Sequence, residues 1–319
     1  MTFDPDVQII LDMIRLAGRP PFEAMTPEAA RQAYMASRAV LAAEPQPVAD
    51  ARDLSCPGPY GPIPLRLYRP TGSEVGQELP VLVYYHGGGW LLGGLDSHDA
   101  VCRHFANAAR CAVVSVDYRM APEHKFPAAV DDCAAATRWV IEQAKQLEID
   151  PAHVAVGGDS AGGNLAAVMA LMARDGTLPP LVFQLLVYPA TDMAMTTVSS
   201  QTITQTVPLT STTMKWFIDH YMRGPADVTD WRASPARASD LSGAAPALVL
   251  TCSCDPLCDE GIAYARRLER EGVRVTHLHF SDQIHGFMSM GRIVRTAGVA
   301  IEMMAAVLGK ALRPPPRPM

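Results

Sequence analysis

Short, almost uninterrupted apolar runs alternate along this chain with longer segments of helical spacing, and that alternation limits the folds open to it more than any other feature. The runs are Ile63 to Tyr68, Val81 to Tyr85, Ala112 to Val116, Val154 to Val156, Phe183 to Tyr188, Ala247 to Thr251 and Thr276 to Phe280. Helical spacing fills about 98 to 109, 128 to 146, 161 to 173, 213 to 222 and 260 to 271, and a last helix is predicted from about 292 to 312. A strand that is apolar on both faces must be covered on both. The pattern therefore predicts an α/β architecture with a mostly parallel central sheet flanked by helices. In such sheets ligands bind beyond the carboxyl ends of the strands, so chemistry is sought in the loops that follow them.

Two regions depart from the alternation. Residues 1 to 45 carry apolar positions at helical spacing (Val7, Ile10, Leu11, Ile14, then Ala30, Ala33, Tyr34, Val40, Leu41) on either side of Pro20-Pro21, which predicts two helices and a break. Thr26-Pro27-Glu28 offers an N-cap followed by proline at the first helical position, so the second helix should begin there. Residues 190 to 225, rich in Thr, Ser and Met, should hold one short helix around Trp216 and, with 1 to 45, lie over the site as a lid. The tail Arg313 to Met319 (RPPPRPM) is expected to fray.

With 49% hydrophobic and 19% charged residues the chain is composed like an ordinary globule, and 319 residues can build a large core. A formal charge of −6, with no basic run, argues against nucleic acid as a partner. No apolar stretch approaches the roughly 20 residues of a membrane span, and the acidic opening MTFDPDVQIILDMIRLAG lacks a signal-peptide n-region, so the expected location is cytoplasmic. The seven cysteines are then expected to be reduced and buried. Cys252, Cys254 and Cys258 cluster, but their spacing is not that of a zinc knuckle, and no metal site is assigned.

Gly158-Asp159-Ser160-Ala161-Gly162 follows the apolar strand Val154 to Val156 and opens a helix-forming run. In that context the pattern is a nucleophile elbow, with small flanking residues permitting a sharp turn that exposes the Ser160 hydroxyl at a helix N-terminus. His86-Gly87-Gly88-Gly89 ends another strand and is the kind of loop whose backbone N–H groups complete an oxyanion hole; Gly87, Gly88 and Ala161 are the predicted donors. A phosphate loop is the rival, but neither Gly-x-Gly-x-x-Gly nor Gly-x4-Gly-Lys-[Ser/Thr] occurs. His86 reads as an organiser of its own loop, bonded to backbone.

A serine hydroxyl attacks an acyl carbon only when a neighbouring base takes its proton. In chains of this layout the order is serine, acid, histidine. Asp255 is the first acid beyond the Ala247 to Thr251 strand, while Asp259 and Glu260 fall where carboxylates complement a helix start. Of the histidines beyond it, His277 and His279 share one face of the last strand and read as structural, which leaves His285 in the loop that follows. Ser160, Asp255 and His285 are thus the predicted nucleophile, acid and base. An imidazole with its ordinary pKa near 6.5 predicts a rate that rises through about pH 6 to 7.

These residues resemble the hormone-sensitive-lipase-like esterases, bacterial family IV of the α/β-hydrolase superfamily. The resemblance rests on His86-Gly87-Gly88-Gly89-Trp90, Asp117-Tyr118-Arg119-Met120-Ala121-Pro122-Glu123, Gly158-Asp159-Ser160-Ala161-Gly162-Gly163, Asp255-Pro256-Leu257-Cys258-Asp259-Glu260-Gly261 and His285-Gly286-Phe287, between about residues 80 and 290. Cys258 stands where the family often has Arg, and Met120 where it has Leu. The resemblance implies an α/β-hydrolase fold with a helical cap: residues 1 to 45 as its N-terminal part, a catalytic domain over 46 to 319, and a cap insertion at about 190 to 225. It places nucleophile, acid and base on Ser160, Asp255 and His285, and oxyanion donors on Gly87, Gly88 and Ala161. The Asp117 to Glu123 stretch would shape a loop.

It also implies a carboxylesterase for short- to medium-chain acyl esters, with a small-molecule ester as its partner and no metal or organic cofactor. Met193, Met195, Met214 and Met222 could wall an acyl site, although core filling explains them as well. The rival functions are a ligand-binding receptor on the same fold, which an intact triad argues against, and an amidase, lactonase or carbamate hydrolase on the same residues. The last strand and helix offer an edge for a homodimer.

Overall fold

The structure, a computed structural model, describes residues 2–313. Eight strands form one sheet: β1 Asp50–Gly58, β2 Gly61–Arg69, β3 Leu79–Tyr85, β4 Ala112–Val116, β5 Ile149–Asp159, β6 Phe183–Val187, β7 Ala247–Cys254 and β8 Val275–Ile284. Their spatial order is β1-β2-β4-β3-β5-β6-β7-β8. From β4 to β8 every neighbouring pair is parallel, whereas β1 with β2 and β2 with β4 are antiparallel. The helices are α1 Pro5–Ala17, α2 Pro27–Leu41, α3 Asp99–Ala109, α4 Ala128–Glu142, α5 Ala144–Leu147, α6 Ala161–Arg174, α7 Val198–Thr202, α8 Ser211–Tyr221, α9 Cys258–Arg270 and α10 Thr296–Ala311.

Period-two side-chain alternation splits the core in two. On β3, Val81, Val83 and Tyr85 join a cluster with buried residues of α4, α6 and α9, while Leu82 and Tyr84 face the opposite way into a cluster with α3 and α10. Both faces are thus covered, which is why β3, β4, β6 and β7 could be read as continuous apolar runs. Strand β1 was not legible in that way. Its sequence DARDLSCPG is polar, contains Pro57 and lies at the sheet edge, mostly in water; only pairing to β2 through the two-residue Pro59-Tyr60 turn makes it a strand.

Helix α2 begins at Pro27 as expected, Thr26 Oγ1 accepting from Ala29 N at 3.2 Å. Three boundaries or contents differ from the sequence reading. The helix expected from about 292 starts at Thr296, the segment 128 to 146 is broken into α4 and α5, and residues 190 to 225 hold a second helix, α7, besides α8. The five-residue α7 has no helical apolar period; Thr197 Oγ1 caps it by accepting from Ser200 N at 3.3 Å, and Ser199 Oγ donates to Pro256 O at 2.9 Å. Of the methionines considered for an acyl wall, Met193, Met214 and Met222 are buried in the α4–α6–α9 cluster. The fraying expected of the tail falls, from residue 314 on, outside the described residues.

No helix among the described residues is long and apolar enough to cross a membrane. Leu186 of β6 is fully buried and Val75 is 98% exposed. Leu186→Ala is expected to lower the unfolding free energy by about 2–5 kcal/mol, and Val75→Ala to leave it within about 0.5 kcal/mol, both read from urea unfolding curves.

Candidate active site

The turn from β5 into α6 crosses directly over the end of β3. A Cβ on Gly162 would sit 1.8 Å from Tyr85 O and one on Gly158 2.3 Å from it, so no side chain fits at either position. Between them Ser160 is held at φ 57 and ψ −117, a conformation costly for a residue with a side chain. Ser160 N donates to Val187 O at 2.9 Å, and Asn164, one turn into α6, donates from Nδ2 to Ala190 O and Ala233 O at 2.9 and 2.8 Å. The strained turn is thereby tied to β6 and to the chain beyond it.

Ser160 Oγ lies 2.8 Å from His285 Nε2, and His285 Nδ1 lies 2.7 Å from Asp255 Oδ2. The three residues come from the ends of β5, β7 and β8, the carboxyl edge of the parallel sheet. Asp255 is fully buried, and its Oδ1 accepts from Leu257 N at 2.8 Å. A carboxylate so placed holds the Nδ1–H tautomer and leaves Nε2 free to accept the serine proton. The ring of Tyr188, 4.6 Å from that of His285, packs on its side.

The glycine loop corrects one expectation. Gly87 N–H is not free for an oxyanion, because it donates to Asp159 Oδ1 at 3.0 Å. Gly88 N, Gly89 N and Ala161 N make no hydrogen bond to another described residue. Gly88 (φ +124) cannot be replaced, since its Cβ would meet Leu92 O at 2.1 Å. His86 organises this loop as expected: Nδ1 donates to Gly87 O at 2.9 Å, and its ring stacks on Tyr118 at 4.4 Å. Burial, helped by nearby His98, pushes the His86 imidazole down to about 4, so it is neutral at pH 7. Tyr118 of the Asp117 to Glu123 stretch donates its hydroxyl to His86 O at 2.7 Å, and Glu123 accepts from Arg31 of α2 at 2.9 Å.

Asp159 was legible only as the variable position of the serine motif. It is buried, and besides Gly87 N–H it accepts from Tyr84 Oη at 2.7 Å and faces His98 Nε2 at 3.2 Å. Burial alone would raise its carboxyl, but the His98 charge and the donated hydrogen bonds outweigh it and hold the group at about 2. Neither His98 nor Tyr84 carried a local signal; their roles depend on β3 and the start of α3 lying beside β5. His277 and His279, read as structural, both reach Thr251 Oγ1 at 2.8 Å.

Helix α2 and the segment before it border the site. Phe22 lies 6.5 Å from Tyr34 and 6.4 Å from Phe217 of α8, whose ring covers Gly89. Buried Arg38 donates from Nη1 to Ser289 Oγ, and Ser289 Oγ donates to Gly286 O at 2.9 Å, which joins α2 to the loop of His285. The seven cysteines are free and buried, and no cluster of metal-ligating side chains occurs among the described residues.

Glu260 of α9 accepts from Thr191 N at 2.5 Å and Asp192 N at 3.3 Å, holding the chain that leaves β6. Burial raises this carboxyl to about 8 despite those bonds. Between its ordinary range and about 8 the native state then binds more protons than the unfolded chain, so stability falls as pH rises through that window. Glu260→Gln keeps an acceptor and cannot ionise. Its urea midpoint is expected to gain on the wild type's between about pH 5 and pH 8, and a constant gap would contradict the burial argument.

A family profile described as alpha/beta hydrolase fold matches residues 82–289. Carboxylic ester hydrolase LipN of Mycobacterium tuberculosis is 44% identical over 297 residues, 91% of this chain and 78% of that protein. Ethyl acetate hydrolase of Pseudomonas putida is 38% identical over 98% of this chain and 100% of its own length. Among solved structures, the hyperthermophilic esterase of the archaeon Pyrobaculum calidifontis superposes with a TM-score of 0.92 at 41% identity, covering 98% of this chain and all of that one (100%).

Proposed function

This chain belongs to the α/β-hydrolase family, in its hormone-sensitive-lipase-like branch, and is a carboxylic ester hydrolase; on that premise we propose that it cleaves short- to medium-chain acyl esters through an acyl-enzyme on Ser160. The observation that carries the reading is the unbroken line Ser160 Oγ to His285 Nε2 to Asp255 Oδ2, at 2.8 and 2.7 Å.

His285 takes the Ser160 proton as Oγ attacks the acyl carbon, and Asp255 stabilises the imidazolium without taking that proton. The tetrahedral oxyanion is met by the N–H groups of Gly88, Gly89 and Ala161, with Gly87 anchoring their loop to Asp159. His285 then protonates the departing alkoxide, and the acyl group remains on Ser160. Water, deprotonated by the same imidazole, attacks the acyl carbon; the acid leaves and Ser160 regains its proton.

Residues 1 to 45, with the insertion at about 190 to 225, form a cap in which Phe22 packs on Tyr34 and on Phe217, whose ring covers Gly89 of the glycine loop. Aromatic rings packed over the glycine loop favour a small acyl group, and a relative named for ethyl acetate, an ester with a two-carbon acyl group, matches along almost the whole chain. The residues from 46 on supply the sheet and the triad as the catalytic domain. β8, paired on one side only, supplies the edge for a homodimer.

The deciding experiment is hydrolysis of p-nitrophenyl butyrate by wild type and Ser160→Ala, with intact mass after fluorophosphonate treatment. Turnover should fall by about 10^4-fold or more in the variant, and one adduct should map to Ser160 in the wild type. Undiminished turnover or an adduct elsewhere would overturn the assignment. A p-nitrophenyl ester series should peak at or below about C8, whereas a maximum at about C12 or beyond refutes the small acyl site.

A further inference from the structure

We infer that the Cys252 thiol is a positioning group for the triad acid, an S–H donor that shares Asp255 Oδ2 with His285 and so sets how strong a base the histidine is. The inference rests on the reading of Asp255 as that acid. Cys252 Sγ lies 3.6 Å from Oδ2, within reach of an S–H···O bond, and both residues are fully buried. Asp255 therefore has three donors, Leu257 N on Oδ1 and His285 Nδ1 with Cys252 Sγ on Oδ2. Burial, then the adjacent Asp255 charge, drives the thiol well above its ordinary range, so it stays protonated and can only donate.

A second donor on Oδ2 draws off charge that would otherwise stabilise the imidazolium. Cys252 thereby lowers the pH at which His285 becomes a free base and activity begins. Other titratable groups face this cluster from each side: Asp159 from the elbow, Tyr188 beyond β6, Cys254 on β7, and Cys258 and Glu260 on α9. Asp159 is held at about 2 and Glu260 raised to about 8. Burial pushes Cys258 up to about 12, raises Cys254, and drives the Tyr188 hydroxyl well above its ordinary range. Of these only Glu260 comes near the acid limb expected of the histidine, and it is common to every variant compared. Asp117, pushed by burial to about 6, faces His86 across 3.8 Å on the far side of the elbow and is common to every variant compared.

The test is kcat/KM against pH for wild type, Cys252→Ala and Cys258→Ala. Cys258 shares the burial but makes no bond to the carboxylate. The acid-limb midpoint should rise on the order of 0.5 pH unit in Cys252→Ala and stay at the wild-type value in Cys258→Ala. Equal midpoints in all three, or equal displacement in both variants, overturn the inference. Should Cys252→Ala not fold, the infrared S–H stretch decides: one band should move to higher wavenumber in Asp255→Asn, where a weaker acceptor replaces the carboxylate, and an unmoved spectrum refutes the bond. Full turnover in Asp255→Asn would sink the triad reading separately, because the S–H band reports the contact whether or not Asp255 serves catalysis.

Discussion

One buried carboxylate, that of Asp159, joins the two loops on which the site depends. It belongs to the turn that carries Ser160, and it accepts from Gly87 N–H in the glycine loop, from Tyr84 on β3 and from the side of His98. A lone carboxylate there would be costly, since desolvation disfavours its charged form; three partners drawn from different elements remove that cost and at the same time set their relative positions. The glycine loop and the elbow are consequently one rigid unit. Its free N–H groups are thereby held at a set position relative to Ser160.

Close packing beneath that unit explains why it is glycine-rich. Gly158 and Gly162 lie against Tyr85 O with no room for a Cβ, so the elbow descends onto the end of β3 and the oxyanion loop leaves from the same point. The strain at Ser160 is sustained by the bonds on either side of it, to Val187 O and, through Asn164, to Ala190 and Ala233. The contacts that hold the turn are thus the ones that fix the Ser160 hydroxyl in place. Helix α2 enters this arrangement through two arginines: Arg31 grips Leu91 O and Ala121 O beside the glycine loop, and Arg38 grips Ser289 beside the loop of His285. Helix α2 spans both halves of the site.

The Asp255 side of the candidate site is built differently. Among the described residues no lysine or arginine pairs with Asp255, which is held by a backbone N–H, the histidine and a thiol. The three cysteines that belong to no metal-ligand pattern lie around this residue, which gives their clustering a place in the fold, if not a ligand.

Sequence by itself determined the parallel part of the sheet, because strands buried on both faces must be apolar throughout, and it singled out Ser160, Asp255 and His285 as candidates, because each stands just beyond a legible strand; that their side chains meet is seen only in the fold. It could not reveal β1, whose polar edge sequence becomes a strand only by pairing with β2, or α7, which is held by its cap and by Ser199 bonding to Pro256. It marked the glycine loop but not which N–H groups are free, since Gly87 is claimed by a carboxylate 72 residues away in the chain. Tertiary structure decided that, along with the contacts of Tyr84, His98, Tyr188 and Cys252. Spacing and periodicity report which side of an element is buried; which polar atom meets which is set only when distant segments pack together, and no local pattern records it.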